Sequence, residues 1–402
     1  MGTSYDLAVV GGGIVGLAVA DAMLAARPGA RVLVVEKEPR LAEHASGRNS
    51  GVLHAGFYYH PESAKARLTR RGNQLLHAFC AEEGVPLRET GKVVVTTGPE
   101  QLPALQELHR RGLENGVPLE LVDPGRLARL EPLARTHEQA LWSPTTASAD
   151  PVAVVEALGR RVRELGGEVR LGTRVTGAGP GWLETAEGRV EVGHLVNAAG
   201  LYADRVARWF GVGEEYRLLP FKGLYWYAAP GSLPLRRHVY PVPDPRFPFL
   251  GVHLTVTAAG RVKAGPTAIP APAREAYAGR EGWVGSEVGE VARTLPRFLA
   301  GQRRAGPRLL AEELPKLSRR RLLAQARRLV PAAHEGLFHE RGRPGIRAQL
   351  LDLRDNRLEM DFVVRPGPAS THVLNAVSPG WTTALAMAEE LLPGILAGDP
   401  SH

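Results

Sequence analysis

Residues 5–24 read YDLAVVGGGIVGLAVADAML and contain the pattern that decides the fold: an apolar run, spaced glycines and a second apolar run. The first run predicts a buried strand and the second a helix, which places the glycines in the turn between them. Gly11 permits the tight turn, Gly13 lets the backbone approach a phosphate, and Gly16 lets helix and strand pack closely. Because a helix N-terminus supplies N–H donors and partial positive charge, this stretch predicts a pyrophosphate site.

A second strand and an acidic residue extend the pattern. Pro28 and Gly29 break the helix, and residues 31–35 read as another buried strand that ends at Glu36. A carboxylate about 20 residues beyond the last glycine accepts hydrogen bonds from both ribose hydroxyls and repels a 2′-phosphate. The pattern therefore disfavours NADP as the ligand and leaves FAD or NAD. The alternative to a nucleotide site is a glycine-rich turn that binds no ligand.

The loop after Glu36 favours a flavin over a nicotinamide. Residues 45–56 read ASGRNSGVLHAG and are dense in small residues. Glycines let the main chain lie against a flat ring system, and Asn49 and Ser50 offer hydrogen bonds to a ring or phosphate edge. A nicotinamide enzyme has no evident need for such a loop, so we expect FAD.

Several later segments add to the predicted nucleotide-binding half. The pattern predicts strands at 168–175, 192–196 and 372–376, a turn at 378–380, and a helix at 381–397. The second of these strands ends in the small residues Asn197-Ala198-Ala199-Gly200. The N-terminus of the last helix is suited to a negative charge that develops on a reduced flavin. An ordinary terminal strand and packing helix explain that last segment equally well.

The whole chain resembles a known family through separated signatures that occur in one order. They are residues 49–59 (NSGVLHAGFYY), 197–204 (NAAGLYAD), 240–245 (YPVPDP), 248–255 (PFLGVHLT) and 345–350 (GIRAQL). On these residues the chain is similar to the D-amino-acid oxidase superfamily of FAD-dependent oxidoreductases, and within it to the L-2-hydroxyglutarate dehydrogenase/oxidase group. Two positions depart from the family pattern: Leu224 replaces an acidic residue and Trp381 a smaller one.

The resemblance implies FAD as the cofactor, bound by the glycine turn, the loop after the acidic residue and the ends of several strands. The residues expected to bind FAD are Gly11, Gly13, Ile14, Val15, Gly16, Glu36, Lys37, Asn49, Ser50, Gly51, Val175, Ala199, Gly200, Asn375, Pro379, Gly380, Trp381 and Thr382.

The resemblance also implies an α/β fold in which a Rossmann-type FAD-binding domain is interleaved with a substrate domain built on an antiparallel sheet. The expected FAD-binding segments are 1–85, 145–215 and 335–402, and the expected substrate segments are 86–144 and 216–334. In the substrate segments the pattern predicts strands at 91–97 and 222–227, a hairpin at 251–264, and a covering helix at 99–115 and another at 319–330.

Oxidation of a 2-hydroxy acid requires a base for the hydroxyl proton and a clamp for the carboxylate. Arg347 is the candidate clamp because a guanidinium holds a carboxylate through two parallel hydrogen bonds, the alternative being a surface arginine. His54 and His253 are the candidate bases, since a neutral imidazole is present near pH 7. Lys222 and Tyr240 are expected to hold a distal carboxylate. The leading prediction is FAD-dependent oxidation of L-2-hydroxyglutarate to 2-oxoglutarate, with hydride transfer to flavin N5.

Two other functions remain open from the sequence. A glycine or D-amino-acid oxidase shares the fold and Arg347, and turnover of amino acids instead of hydroxy acids identifies it. An RNA-acting or RNA-binding flavoprotein is the remote alternative, and it needs clustered cations and exposed stacking aromatics. Aromatic residues make up only 6% of the chain, so no nucleic-acid partner is expected. No metal is expected either, because no cluster of ligand residues has metal spacing.

Charge and composition set the expected location. The 402 residues include 50 Lys and Arg against 42 Asp and Glu, and the lone Cys80 excludes an intramolecular disulfide. With no signal-peptide pattern, we expect a cytoplasmic protein. Residues 319–330 form a basic amphipathic helix that either packs on its own domain or contacts the inner face of a membrane peripherally. Since no second dinucleotide fingerprint follows Glu36, a quinone or oxygen is the expected electron acceptor.

Overall fold

A computed structural model describes residues 4–244, 247, 249–302 and 305–398. In these ranges the α-helices are α1 (Ile14–Ala26), α2 (Ala64–Glu82), α3 (Leu102–Glu114), α4 (Pro124–Leu130), α5 (Pro151–Glu164), α6 (Ala203–Arg208), α7 (Gly285–Gly301), α8 (Ala305–Glu313), α9 (Arg319–Leu329) and α10 (Gly380–Ala397). Short 3₁₀ helices span Pro99–Gln101, Gly200–Tyr202, Leu314–Leu317 and Glu335–Leu337.

The strands in the same ranges are short and numerous. They are β1 (Ser4–Val10), β2 (Val32–Val35), β3 (Val52–Leu53), β4 (Leu87–Arg88), β5 (Lys92–Val95), β6 (Glu120–Val122), β7 (Ala140–Ser143), β8 (Ala147–Ala149), β9 (Glu168–Arg170), β10 (Val175–Gly179), β11 (Trp182–Thr185), β12 (Gly188–Asn197), β13 (Tyr216–Gly223), β14 (Trp226–Ala228), β15 (His238–Pro241), β16 (His253–Val256), β17 (Val262–Gly265), β18 (Ile269–Pro270), β19 (Phe338–Arg341), β20 (Gly345–Asp352), β21 (Arg357–Leu358), β22 (Val363–Gly367) and β23 (Ser370–Asn375).

The first sheet has a parallel core in the order β23–β12–β1–β2–β9. The antiparallel strands β10, β11 and β22 complete it. Along β1 the side chains alternate between two apolar cores, with Leu7 and Val9 in one and Ala8 and Val10 in the other. Both faces of the sheet are therefore covered, as parallel sheets require. The strand, glycine turn and helix predicted from residues 5–24 are present as β1 and α1.

The second large sheet is mostly antiparallel, in the order β19–β14–β17–β16–β15–β5–β7–β6, with β15 and β5 as a parallel pair. The predicted hairpin forms from β16 and β17, with His253 opposite Gly265. Strand β19 of this second sheet spans residues 338–341, which lie in a segment expected to belong to the FAD-binding domain. The two large sheets together give the α/β fold that the sequence predicted.

Helix α9 packs its apolar side on the core of this second sheet. Leu322, Leu323, Ala326 and Leu329 are buried in that core. The opposite side carries exposed arginines, namely Arg320, Arg321, Arg327 and Arg328. The apolar side of α9 is thus occupied within the protein. Across the described ranges, every helix is too short or too polar to cross a membrane.

Two smaller sheets connect the large ones. One has the order β18–β13–β20–β21, and its β13–β20 pairing sets Arg347 opposite Phe221 and Ile346 opposite Lys222. The other has the order β3–β8–β4 and ties the loop after Glu36 to the start of α5.

Two predicted strands are wrong in their extent. Residues 168–175 divide into β9 and the start of β10, because Gly172 turns the chain with φ +65° and donates its N–H to Glu38 O at 2.7 Å. Residues 222–227 divide between β13 and β14, which belong to different sheets. The predicted helix at 99–115 begins as a 3₁₀ turn before α3.

Candidate active site

The turn between β1 and α1 has no room for a side chain at Gly11 or at Gly16. Gly11 has φ +109°, and a Cβ there would lie 2.5 Å from Ala198 O at the end of β12. A Cβ on Gly16 would lie 2.1 Å from Gly11 O. Both distances are too short for a real Cβ, so only glycine is accommodated at either position. The turn brings the N-terminus of α1 to the carboxyl ends of β1 and β12, the edge of a parallel sheet where ligands bind.

The Glu36 carboxylate is held in place by the backbone around that turn. Its Oε2 accepts from Gly12 N at 2.9 Å and its Oε1 accepts from Glu38 N at 2.9 Å. Each oxygen keeps a further lone pair, so the carboxylate is oriented in advance to accept two more donors. Such an arrangement matches the two hydroxyls of a ribose.

The loop after Glu36 folds over the N-terminus of α1. Ser46 Oγ accepts from Ile14 N at 3.0 Å, and a Cβ on Gly13 would lie 2.9 Å from that same Oγ. The Asn49 amide serves the loop itself, since it donates to Ser46 O at 2.8 Å and accepts from Gly51 N at 2.8 Å. These bonds fix small residues above the phosphate-binding turn.

A cavity of about 820 Å³ begins at this turn and extends between the sheets. Most of the predicted site residues line it: Gly11, Gly13, Ile14, Val15, Glu36, Lys37, Asn49, Ser50, His54, Val175, Ala199, Gly200, Tyr240, His253, Arg347, Pro379, Gly380, Trp381 and Thr382. Four predicted residues, Gly16, Gly51, Lys222 and Asn375, do not line it. The volume is in the range of sites that bind organic cofactors and substrates.

Three of these four residues have structural roles beside the cavity. Gly16 lies behind the turn, as its packing role predicted. Gly51 has φ +71° and its carbonyl accepts from Ala149 N at 2.9 Å. The Asn375 amide donates to Glu359 O at 3.1 Å and to Asp361 O at 2.6 Å, so it joins backbone segments instead of facing the cavity.

Lys222 was predicted to face the substrate, but its side chain does not line the cavity. Phe221 and Gly223, its neighbours on β13, line the cavity, whereas Lys222 does not. Side chains alternate along a strand, so Lys222 lies on the other face. The sequence predicted a strand that begins at Lys222 and Gly223. It did not reveal which face of that strand is turned toward the cavity.

Arg347 presents a guanidinium to the cavity, and the nearby acid Glu313 is paired with Lys316 instead. It lies on β20, with its guanidinium carbon 4.7 Å from the centroid of the Phe249 ring. Among the described residues, no hydrogen bond or ion pair is made by the Arg347 side chain, and burial lowers the pKa of its guanidinium below the usual value. An uncompensated cation in a cavity is suited to an anionic ligand.

His253 has one ring nitrogen committed and one available. Its Nδ1 lies 2.9 Å from Gly251 O, a contact in which Nδ1 carries the proton and donates. Its ring stacks on Tyr240 with centroids 3.8 Å apart. Burial lowers the pKa of His253 to about 3, so the imidazole is neutral at pH 7 and Nε2 carries a lone pair.

His54 lines the same cavity from the loop before α2. Its backbone N–H donates to Thr382 Oγ1 at 3.2 Å, which ties this loop to the N-terminus of α10. Its Nδ1 is buried and has no hydrogen-bond partner in the described structure. Burial lowers the pKa of His54 well below its usual value, so it too is neutral at pH 7.

Buried lysines near the cavity were missed in the sequence. Lys65 lines the cavity, Lys92 lies 4.2 Å from the centroid of the Tyr240 ring, and Lys263 donates to Asn49 O at 3.2 Å. Burial lowers the pKa of Lys92 to about 7 and that of Lys263 to about 8. Basic side chains therefore surround this part of the cavity, and their burial favours loss of the proton from each ammonium.

One group of metal-ligating side chains lies at the cavity edge. Single ligand atoms of Glu38, His44 and Glu275 fall within 4.8 Å of one another. Lys37 already compensates this group, since its ammonium lies 2.7 Å from Glu275 Oε1 and also pairs with Glu38. We interpret it as an ion-pair cluster.

The fold and the turn define a dinucleotide-binding oxidoreductase, and comparison with known proteins narrows the class. Residues 6–392 match the family of FAD-dependent oxidoreductases. The chain is 36% identical to L-2-hydroxyglutarate dehydrogenase of Indibacter alkaliphilus, covering 95% of this chain and 96% of that protein. It is 34% identical to the mitochondrial L-2-hydroxyglutarate dehydrogenase of Homo sapiens, covering 96% and 87%. The chain therefore belongs to the FAD-dependent oxidoreductase family and is an enzyme with FAD as its cofactor.

Solved structures agree with this fold. The reduced L-α-glycerophosphate oxidase of Mycoplasma pneumoniae with FAD bound superposes with a TM-score of 0.77 at 22% identity, covering 98% of this chain and 95% of that one. Glycine oxidase of Geobacillus kaustophilus gives a TM-score of 0.74 at 18% identity, covering 99% and 95%. At these identities the likeness establishes the fold alone.

The residues of the site fit FAD. The glycine turn sets the N-terminus of α1 at the edge of the parallel sheet, where a pyrophosphate would bind, and Glu36 is oriented for a ribose. Trp381 lines the cavity at the N-terminus of α10, and its Nε1 is buried without a partner among the described residues. A buried N–H without a partner is costly. A hydrogen-bond acceptor of the bound flavin would pair with the Trp381 N–H and remove that cost.

Proposed function

We propose that the protein oxidises L-2-hydroxyglutarate to 2-oxoglutarate. The observation that carries the proposal is the Arg347 guanidinium, which faces the cavity and makes no ion pair with the residues that the structure describes. The names of the similar proteins from Indibacter alkaliphilus and Homo sapiens point to the same substrate.

In the proposed mechanism, bound FAD supplies the acceptor for the C2 hydride. Arg347 holds the carboxylate next to C2 through two parallel hydrogen bonds, which fixes the orientation of C2. His253 Nε2 accepts the hydroxyl proton, because its Nδ1 is already committed to Gly251 O. An isolated imidazole with so low a pKa is a weak base, and the negative charge of the bound substrate raises its proton affinity.

We further propose that the division expected from the sequence is the functional one. Residues 1–85, 145–215 and 335–402 would hold FAD, although β19 within the last segment pairs in the mixed sheet and Arg347 faces the substrate, and residues 86–144 and 216–334 would shape the rest of the substrate side. The parallel sheet with Glu36 supports the first assignment. The second rests on the mixed sheet that carries His253 and Tyr240.

Anaerobic titration of the bound flavin tests the proposed substrate. The purified enzyme is mixed with L-2-hydroxyglutarate, its D-enantiomer, L-lactate, glycine and D-alanine, and bleaching of the flavin absorbance is followed. We expect bleaching with L-2-hydroxyglutarate. Bleaching by the amino acids alone would identify an amino-acid oxidase instead.

Substitution of the two histidines tests the base. His253→Asn is expected to lower the rate constant of flavin reduction by about 10²- to 10⁴-fold, the usual contribution of a positioned base. His54→Asn serves as the matched variant and is expected to have the smaller effect. Anaerobic stopped-flow at saturating L-2-hydroxyglutarate measures both rates. A larger loss in His54→Asn would assign the base to His54.

For the electron acceptor, we propose a membrane quinone reached through the exposed arginines of α9, in a protein located at the inner face of a membrane. The apolar side of α9 is packed inside, so this contact would be electrostatic and would weaken with added salt.

A reoxidation experiment tests this acceptor. A soluble quinone analogue is expected to reoxidise the reduced enzyme faster than air-level oxygen does, and anionic vesicles are expected to bind the enzyme at low salt. Replacing Arg320, Arg321, Arg327 and Arg328 with Gln should abolish vesicle binding and leave flavin reduction intact. Fast reoxidation by oxygen, with no vesicle binding, would make the protein an oxidase.

A further inference from the structure

Lys65 is a second buried cation that faces the cavity. It is 6% exposed and lies in the first turn of α2, after the N-cap residue Ser63. Its ammonium is 5.8 Å from the centroid of the Tyr59 ring and 5.7 Å from that of Phe362. In the described part of the chain, no hydrogen bond or ion pair is made by its ammonium.

The neighbouring acid, Asp361, is committed elsewhere. Its carboxylate accepts from Ala64 N at 3.0 Å and from Lys65 N at 3.1 Å, and it also accepts from Phe362 N at 2.8 Å. Asp361 thus caps the N-terminus of α2 and makes no ion pair with the lysine ammonium. Burial and the charge of Arg347 lower the pKa of Lys65 to about 8, against the opposite effect of the Asp361 charge, and both cations line the same cavity.

We propose that Lys65 is the specificity-determining residue that binds the distal carboxylate of a dicarboxylic 2-hydroxy acid, while Arg347 binds the carboxylate next to C2. This assignment rests on the proposed function. Lys65 would be the residue through which the enzyme discriminates a dicarboxylate substrate from a monocarboxylate. Lys65 and Arg347 both line this cavity, and the side chain of neither makes an ion pair among the described residues, so the two positive charges match the two carboxylates of such a substrate.

The other five lysines do not meet this requirement. Lys37 lines the cavity but is paired with Glu38 and Glu275, and Lys316 is paired with Glu313. Lys222 and Lys92 do not line the cavity, and Lys263 already donates to Asn49 O at 3.2 Å. Tyr240 lines the cavity but carries no positive charge. Lys65 therefore replaces Lys222 in the role that the sequence had assigned.

The test compares two L-2-hydroxy acids of equal chain length, 2-hydroxyglutarate and 2-hydroxypentanoate, which has a methyl group instead of the distal carboxylate. For Lys65→Met holoenzyme, kcat/KM for 2-hydroxyglutarate is expected to fall about 100-fold or more, mainly through KM. For 2-hydroxypentanoate it is expected to change less than about threefold. Lys65→Arg should restore part of the selectivity, and Lys222→Met is the matched control, with selectivity unchanged.

Binding provides a readout that does not depend on turnover. Glutarate is titrated into each holoenzyme and the change in flavin absorbance is followed, with flavin content as the check on folding. Lys65→Met should weaken glutarate binding but leave butyrate binding unchanged. An equal loss with both hydroxy acids, or unchanged glutarate affinity, would overturn the role of Lys65. If wild-type enzyme oxidised neither hydroxy acid yet bound glutarate through Lys65, the proposed function would fail and the dicarboxylate site would stand.

Discussion

Arg347→Met is expected to lower kcat/KM for L-2-hydroxyglutarate by about 30- to 5,000-fold, which corresponds to a loss of roughly 2–5 kcal/mol in transition-state stabilisation. The reason is that a charge-assisted bidentate pair in a buried cavity is lost and no nearby cation takes over its geometry. The Arg347 guanidinium makes no hydrogen bond or ion pair with another described residue, so replacing it leaves no protein side chain without its partner. The fold and the bound FAD should therefore remain, and stopped-flow flavin reduction measures the effect.

The control for this variant is Arg129→Met, which replaces an exposed arginine on α4. It should retain wild-type kinetics and thermal stability. Because Arg347→Met is expected to keep its FAD, the absorbance spectrum separates a kinetic defect from a folding defect. If flavin reduction by L-2-hydroxyglutarate proceeds at the wild-type rate in Arg347→Met, then Arg347 does not hold the substrate.

Glu36→Arg is expected to yield a colourless apoprotein. The substitution removes the acceptors of the Gly12 and Glu38 N–H groups, and it places a cation where the ribose hydroxyls need a carboxylate. Ligands that bind only the folded state stabilise it, so the apoprotein should also melt at a lower temperature than the wild-type holoenzyme. The FAD released on denaturation, measured against protein concentration, gives the occupancy.

Glu164→Arg provides the matched charge change, at an exposed position at the end of α5. It should purify with a full complement of FAD. A second variant, Gly13→Glu, introduces a carboxylate beside Ser46 at the N-terminus of α1 and should also lose the cofactor. Stoichiometric FAD in Glu36→Arg would show that Glu36 does not hold the ribose, and stoichiometric NADP in the wild type would reverse the choice of cofactor.

The dinucleotide-binding half was predictable because its signals are local. Spaced glycines, a following helix and an acid at the end of the next strand all lie within the first 36 residues, and each has one physical purpose. The cofactor and the fold class are accordingly confirmed by the family match and by the two sheets.

The substrate side was less predictable because it depends on strand faces and on contacts between distant segments. Lys222 was placed on the correct strand but on the wrong face, since β13 is buried on both sides for most of its length and shows no alternating pattern. Lys65 lies on α2, a helix that the sequence analysis did not connect with the substrate. The roles of Arg347 and His253 stay predictions.

One compositional signal could have identified the missed lysines. The chain has 50 basic residues, and only Lys37, Lys65, Lys92, Lys222, Lys263 and Lys316 are lysines. None of the six is exposed, whereas arginines populate the surface. In a chain that otherwise prefers arginine, the rare lysines therefore indicate positions inside the fold, where a compact ammonium differs from a planar guanidinium in shape and hydrogen bonding.

The interleaved order of the chain has a consequence for biosynthesis. His54 N–H bonds to Thr382 Oγ1 across 328 residues of sequence, and the wall of the cavity at Pro379–Thr382 belongs to the turn that begins α10. A ribosome therefore releases the glycine turn long before it makes the helix that covers it. Contacts of such separation form slowly because a long loop must close first. We therefore expect stable flavin binding to require a chain that already contains α10.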